Sequence, residues 1–210
     1  AGSSRCGGSG ISKACNTDDK GDWNNMQVIF IHHSCFLVEV DDLVLIFDYF
    51  GGDRVNGFHF TGKIPDYAPD TKIYMFASHK HQDHFDMDIL RWSEKYTNVH
   101  YILSKDIRIS PHFLQKHGID PGVRKKVTFV SANNHYEVDD LKIQTLLSTD
   151  AGVAFYVNVR GVSIFHAGDL NDWKMEHVGE LINGKQERTF RQCVMLAFND
   201  FPEATNGFFN

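Results

Sequence analysis

Ser78-His79-Lys80-His81-Gln82-Asp83-His84 decides how this chain is read, because it follows directly on the apolar run Ile73-Tyr74-Met75-Phe76-Ala77. The apolar run predicts a strand over Lys72–Ala77. The stretch after it reads His-x-His-x-Asp-His and packs four metal-ligating side chains, His79, His81, Asp83 and His84, into six residues. Imidazole nitrogen and carboxylate oxygen both suit zinc and neighbouring transition metals. An ordinary polar loop after a strand accounts poorly for four correctly typed positions in so short a span.

Working outward, Val28–Ile31, Phe36–Val40 and Leu43–Phe47 are short β-branched and aromatic runs, the last two separated by Asp41-Asp42, and they predict a meander of strands. Residues 49–70 predict a long irregular loop. Asp86–Tyr96 predicts a helix from the partly helical spacing of Met87, Ile89, Leu90 and Trp92. Val99–Leu103 predicts a strand, and Pro111–His117 a short helix with Ser110 as N-cap and Pro111 at its first position. Strands follow over Val127–Val130 and Leu141–Leu147. Val153–Val159 and Val162–Phe165 form a hairpin through Arg160-Gly161. Residues 173–190 read as helical and Cys193–Phe198 as a last strand. This order predicts packed sheets with helices outside. Residues 1–25, rich in Gly, Ser, Asn and Asp, read as a flexible leader, and 26–210 as a single domain.

Composition narrows the function. The net charge of −6 over 210 residues, with no basic stripe, argues against nucleic acid as a partner. No apolar run approaches the length of a membrane span. The four cysteines, Cys6, Cys15, Cys35 and Cys193, lack CxxC spacing and read as thiols of a cytoplasmic protein. With twelve His and no Cys beside them, a metal site here is built from nitrogen and oxygen.

Three further stretches join the first in a recognisable series: Leu45-Ile46-Phe47-Asp48, Val162-Ser163-Ile164-Phe165-His166-Ala167-Gly168-Asp169, and His32-His33-Ser34 followed by Phe36-Leu37-Val38. Together with the His-rich motif they resemble the metallo-β-lactamase superfamily. The last is similar to the opening of its branch of ascorbate-6-phosphate lactonases and related hydrolases. The resemblance implies a four-layer αββα sandwich (α/β, or α+β) with a metal site at one sheet edge. It implies His79 and His81 on a first metal, Asp83 and His84 on a second, and Asp169 bridging them. Asp48 would lie beneath, fixing the His-rich loop by hydrogen bonds. His33 is read either as a residue near the substrate or as a packed histidine. His166, three residues before Asp169, is expected to support the ligands or to be structural rather than to bind metal, with its side chain on the other sheet face.

The chain departs from the family at two places. Where the family supplies another His to the first metal, this sequence has Leu147-Ser148-Thr149-Asp150-Ala151-Gly152. Asp150 is the natural substitute ligand, although the same residues are good turn chemistry. After His177 there is no His at all, so the expectation is a chain that lacks the family's last C-terminal elements, with an exposed sheet edge that invites homo-oligomers. The resemblance implies a metal-dependent hydrolase that uses a metal-activated hydroxide on an ester, lactone or phosphodiester bond of a small-molecule substrate, with Asp83 or Asp169 orienting the hydroxide or taking its proton. Zinc, one or two ions per chain, is the first expectation, with manganese or iron if a carboxylate is the third ligand. Position 81 is His, which argues against the iron redox members that carry Glu there. The alternatives are a nuclease or phosphodiesterase of the same fold, and a degenerate, non-catalytic metal- or ligand-binding relative.

Overall fold

The computed structural model describes residues 26–51, 62–172, 184–192 and 206–208. The proposed leader 1–25, most of the helix at 173–190 and the strand Cys193–Phe198 therefore lie outside the described residues. Strands β1 (Met26–His32), β2 (Cys35–Val40), β3 (Leu43–Phe47), β4 (Lys72–Ala77), β5 (Val99–Ser104) and β6 (Val127–Val130) form one sheet in that order. A second sheet runs in the order β11 (Asn206–Phe208), β10 (Val162–His166), β9 (Val153–Val159), β8 (Leu141–Leu147), β7 (His135–Val138). β1, β2 and β3 pair antiparallel, and β3 to β6 pair parallel.

Alternation along each strand builds the layers. From β2 to β5, Leu37, Val44, Ile46, Ile73, Met75, Tyr101 and Leu103 face outward onto Ile89, Leu90, Leu114 and Val123. These last four belong to the helical segments Met87–Arg91, α2 (Pro111–Lys116) and Pro121–Lys126. The opposite face carries Val38, Leu45, Phe47, Tyr74 and Phe76, which meet Ile143, Phe155, Val157 and Ile164 of the second sheet. Strands buried on both faces must read as continuous apolar runs, and β3 and β4 do. The outer face of the second sheet, Leu146, Ala154 and Phe165, packs against Phe190 of a helix at 184–192. Helix, sheet, sheet and helix are the four layers of an αββα sandwich.

Two elements differ from the sequence expectation. Asp86–Tyr96 is not one helix but a 3-10 turn (Met87–Arg91) followed by a single α-turn, α1 (Trp92–Lys95). The Tyr101 hydroxyl donates to the carbonyls of Ile89 and Leu90 at 2.9 and 3.3 Å, and Ser93 Oγ donates to Leu90 O at 2.9 Å, which diverts acceptors a regular helix would use. β7 and the 3-10 turn at Pro121–Lys126 carry little apolar pattern and are additions. No helix among the described residues is long and apolar enough to cross a membrane.

Candidate metal centre

The centre lies where β3, β4 and β10 end. Parallel pairing of β3 with β4 sets Phe47 beside Phe76, so the residues that follow, Asp48 and Ser78, emerge together. Asp48 is fully buried and is one of the few non-glycine residues with positive φ (+47°). Its carboxylate accepts four hydrogen bonds. Ser78 N–H donates to Oδ1 at 2.7 Å, while Ser78 Oγ (2.7 Å), His84 Nδ1 (2.8 Å) and His166 Nε2 (2.7 Å) all donate to Oδ2. Burial alone would raise the Asp48 pKa, but the charges and hydrogen bonds of His166 and His84 outweigh it and hold the carboxyl well below the usual range.

This anchor sets the tautomer of the next ring. Ser78 spends its only hydroxyl hydrogen on Asp48, so at 3.0 Å its oxygen accepts from His79 Nδ1–H. His79 Nε2 is left with a lone pair that points into the centre. Burial, with the nearby charge of His84, lowers the His79 pKa and favours this neutral, ligating form.

Around it gather the atoms of a first cluster, His79, His81, Asp150 and Asp169, all within 4.8 Å of one another. His79 Nε2 stands 2.9 Å from His81 Nδ1 and 3.6 Å from Asp169 Oδ2, and His81 Nδ1 stands 3.4 Å from Asp150 Oδ2. Two glycines allow the approach. A Cβ on Gly152 (φ +66°) would meet Ser78 O at 1.9 Å, so only glycine lets the Asp150 loop lie against the His-rich strand end. A Cβ on Gly168 (φ +55°) would meet Ser78 Oγ at 2.8 Å, at the step that brings Asp169 in.

His33, Asp83 and His84 form a second cluster of the same compactness. His84 Nε2 is 3.8 Å from Asp83 Oδ2 and 3.0 Å from Asp169 Oδ1, and His33 Nε2 is 3.3 Å from Asp83 Oδ2. Asp169 thus turns one oxygen to each cluster. Burial would lower the His84 pKa, but the Asp169 and Asp48 carboxylates outweigh it and push it up to about 10. For Asp169 burial acts upward, and His84 more than offsets it, leaving the carboxyl lowered.

The donors fit divalent metal. Ligands that share an ion at about 2.0–2.2 Å stand roughly 3–3.5 Å apart when adjacent, and the separations above bracket that range. His84 Nε2 is buried and, among the described ion pairs, faces only the carboxylates of Asp169 and Asp83, at 3.0 and 3.8 Å, a donor set of nitrogen and oxygen that converges on one point.

Every site residue named from the sequence therefore lies in or directly beneath one compact centre. Asp48 is below it, and Asp150 sits with His79 and His81. His33 is beside Asp83 in the second cluster. One contributor, Ser78, was not singled out; it sets the His79 tautomer. His166 is buried on Asp48, supporting the centre from beneath. Only the sheet face expected for His166 is corrected. By the period of two it shares the inward face with Val162 and Ile164, which points it at Asp48. Its place two residues after Ile164, on the core-facing side of an apolar strand, was the available signal.

No curated protein sequence matches the chain. Among solved structures, Igni18, a metallo hydrolase from the archaeon Ignicoccus hospitalis, is 18% identical with a TM-score of 0.46 over 68% of this chain and 60% of its own. CmlA, a diiron β-hydroxylase from Streptomyces venezuelae, is 13% identical with a TM-score of 0.48 over 72% of this chain and 31% of its own. This chain thus spans less than two thirds of either protein, and at these identities neither chemistry passes to it. A sequence family does match, the Beta-lactamase superfamily domain, over residues 27–183. That span runs from β1 past Asp169 and takes in both donor clusters and the strands that carry them. The chain belongs to the beta-lactamase superfamily, and its two facing sheets with outer helices are the metallo-β-lactamase fold.

Proposed function

We propose that the protein is a metal-dependent hydrolase acting on an ester, lactone or phosphodiester bond of a small molecule. The observation that carries this reading is Asp169. Its Oδ2 faces the His79–His81–Asp150 cluster and its Oδ1 faces the His84–Asp83–His33 cluster, at 3.6 and 3.0 Å from the nearest imidazole nitrogens. A carboxylate shared between two donor sets suits a pair of divalent ions.

When bound, such ions supply Lewis-acid polarisation of a carbonyl or phosphoryl oxygen and lower the pKa of water. The chain's own residues do the rest. His79, His81, Asp150 and Asp169 would hold one ion, and Asp83 and His84, with Asp169, the other. Asp48, through Ser78 and His84, locks the imidazoles so that no reorganisation is needed during reaction. Asp83, 30% exposed at the mouth, orients the attacking water and takes its proton. Zinc is the first choice of ion. The two-nitrogen, two-oxygen donor set of the first cluster also suits manganese or iron.

Beside the His-rich loop, the cations Lys80 and Arg108, the carboxylates Asp86 and Asp106, and the apolar Phe85 and Phe113 are among the residues that line a groove of about 1070 Å³. Four balanced charges over an apolar floor suit a small polar substrate whose anionic group meets Lys80 and Arg108. The His32-His33-Ser34 opening supports the ascorbate-6-phosphate lactonase-like branch. The net charge of −6 weighs against a nuclease. The buried free thiol of Cys35 suits a cytoplasmic setting.

The test is turnover of a p-nitrophenyl ester, a phosphorylated lactone and bis-p-nitrophenyl phosphate by protein stripped with chelator and reloaded with zinc or manganese. Metal-dependent hydrolysis of at least one, lost in His81→Ala, is the expected result. Metal uptake without turnover of any substrate would contradict the hydrolase reading and leave a non-catalytic relative.

A further inference from the structure

The two-residue turn between β1 and β2 is His33-Ser34, and His33 holds φ at +49°. Hairpin turns need such left-handed backbone and normally fill it with Gly, Asn or Asp. A histidine there is strained, and strain of this kind persists where the surroundings over-determine it. The β1–β2 register shifts between Phe30 and His32, just before the turn, which re-aims the chain at its tip.

The His33 ring ends over the second cluster. It stands edge-on to the His84 ring (centroids 5.5 Å apart, 69°) and to Phe50 (5.8 Å, 90°), so two walls fix its plane. Its Nε2 faces Asp83 Oδ2 at 3.3 Å. A simple ion pair between His33 and Asp83, with side chains 27% and 30% exposed, would be screened by water and contribute little. That is a poor reason to keep a left-handed histidine.

We propose that His33 is a metal ligand, the donor that completes the second cluster. Asp83, His84 and the Oδ1 of Asp169 supply three donors, and a divalent ion held by nitrogen and oxygen ligands takes at least four. Among the described residues His33 is the further imidazole of that cluster; its donor atom lies within 4.8 Å of both others, and its Nε2 is 3.3 Å from Asp83 Oδ2. The buried His84 Nε2 faces Asp169 Oδ1 at 3.0 Å and Asp83 Oδ2 at 3.8 Å, so it is directed into the same space. The assignment makes the β1–β2 turn part of the metal centre. It rests on the reading that this centre holds metal.

The experiment is zinc binding to the full chain, stripped with chelator and titrated against a chromophoric competitor, for the wild type and for His33→Asn. Asn accepts a left-handed backbone but removes the imidazole. The expected result is two ions in the wild type. In His33→Asn the first ion should bind with unchanged affinity and the second at least about tenfold more weakly, since even residues that only orient ligands cost 10–100-fold. Relief of strain should leave the metal-free variant melting at or above the wild type, so a weaker second site cannot be put down to unfolding. His33→Gly, free of any φ restriction, gives the same reading if the Asn variant does not fold. Second-ion affinity within twofold of wild type would overturn the assignment, as would a wild type that binds a single ion. A wild type that binds no ion would overturn the metal reading itself, and the two failures are told apart in the wild type alone.

Discussion

Replacing Asp48 by Asn tests whether one buried carboxylate organises the centre. Its four hydrogen bonds come from Ser78 N, Ser78 Oγ, His84 Nδ1 and His166 Nε2, at 2.7–2.8 Å. Asn keeps one acceptor oxygen but presents an NH2 at the other position. In either orientation that NH2 faces a donor, and the negative charge that His84 and His166 face is gone. Removing one partner of a buried charge pair costs about 3–5 kcal/mol, a large share of the 5–15 kcal/mol typical of a folded protein. For a chain of this size 1 kcal/mol is about 2–4 °C of Tm, so metal-free Asp48→Asn should melt roughly 6–20 °C below wild type at pH 7. The wild-type carboxyl is held below its ordinary value, so its contribution is present above about pH 4 and is lost as pH falls further. The gap between the two proteins should therefore narrow in acid. Metal affinity should also fall 10–100-fold, because His79 and His84 lose their orientation. The assays are thermal unfolding by circular dichroism from pH 3 to 8 and competitive metal titration. A variant that melts within 2 °C of wild type and binds metal within twofold would refute the reasoning.

Other expectations follow from the same geometry. Gly152→Ala sets a Cβ 1.9 Å from Ser78 O and should displace Asp150, lowering first-ion affinity at least about tenfold. Gly161→Ala, also left-handed but with nothing within 4 Å, should cost only about 1 kcal/mol and leave metal binding intact, read by the same titration. Lys80→Ala with Arg108→Ala should raise KM for an anionic substrate about tenfold or more with kcat little changed, measured by steady-state kinetics. Burial raises the pKa of the Tyr101 phenol above its ordinary value, so stability is full below about pH 10 and declines above it. Tyr101→Phe should flatten that alkaline decline while costing about 0.5–1.5 kcal/mol at pH 7, read from urea midpoints across pH 8 to 11.

The legible parts of this chain are those where local pattern and burial coincide. β3 and β4 are buried on both faces, so Leu43–Phe47 and Lys72–Ala77 appear as unbroken apolar runs that end at the centre. The Arg160-Gly161 turn was readable because Gly161 falls between two apolar runs two residues apart, and both turn residues take the positive φ that a two-residue hairpin demands. The expected helix over Asp86–Tyr96 broke because Tyr101, eleven and twelve residues away, captures its carbonyls. β7 buries only Val138, so its sequence gives no alternation to read. The motifs drew attention to Asp48, His79, His81, Asp83, His84, Asp150 and Asp169, and all are found together. What the motifs could not carry is the wiring. His166 reaches Asp48 across 118 residues, and Ser78 reaches it across 30. His33 could be read as a packed histidine or as a residue near the substrate, because a left-handed turn, visible only in φ, is what aims its ring at Asp83.

The most direct measurement of the central claim is metal content per chain by elemental analysis, on protein purified without a His tag or chelating column, before and after loading with zinc or manganese. The account predicts about two ions per chain in the wild type, and a loss of at least one in His79→Ala and in Asp169→Asn, with the Asp169 variant affecting both. No bound metal after loading with either ion would contradict it.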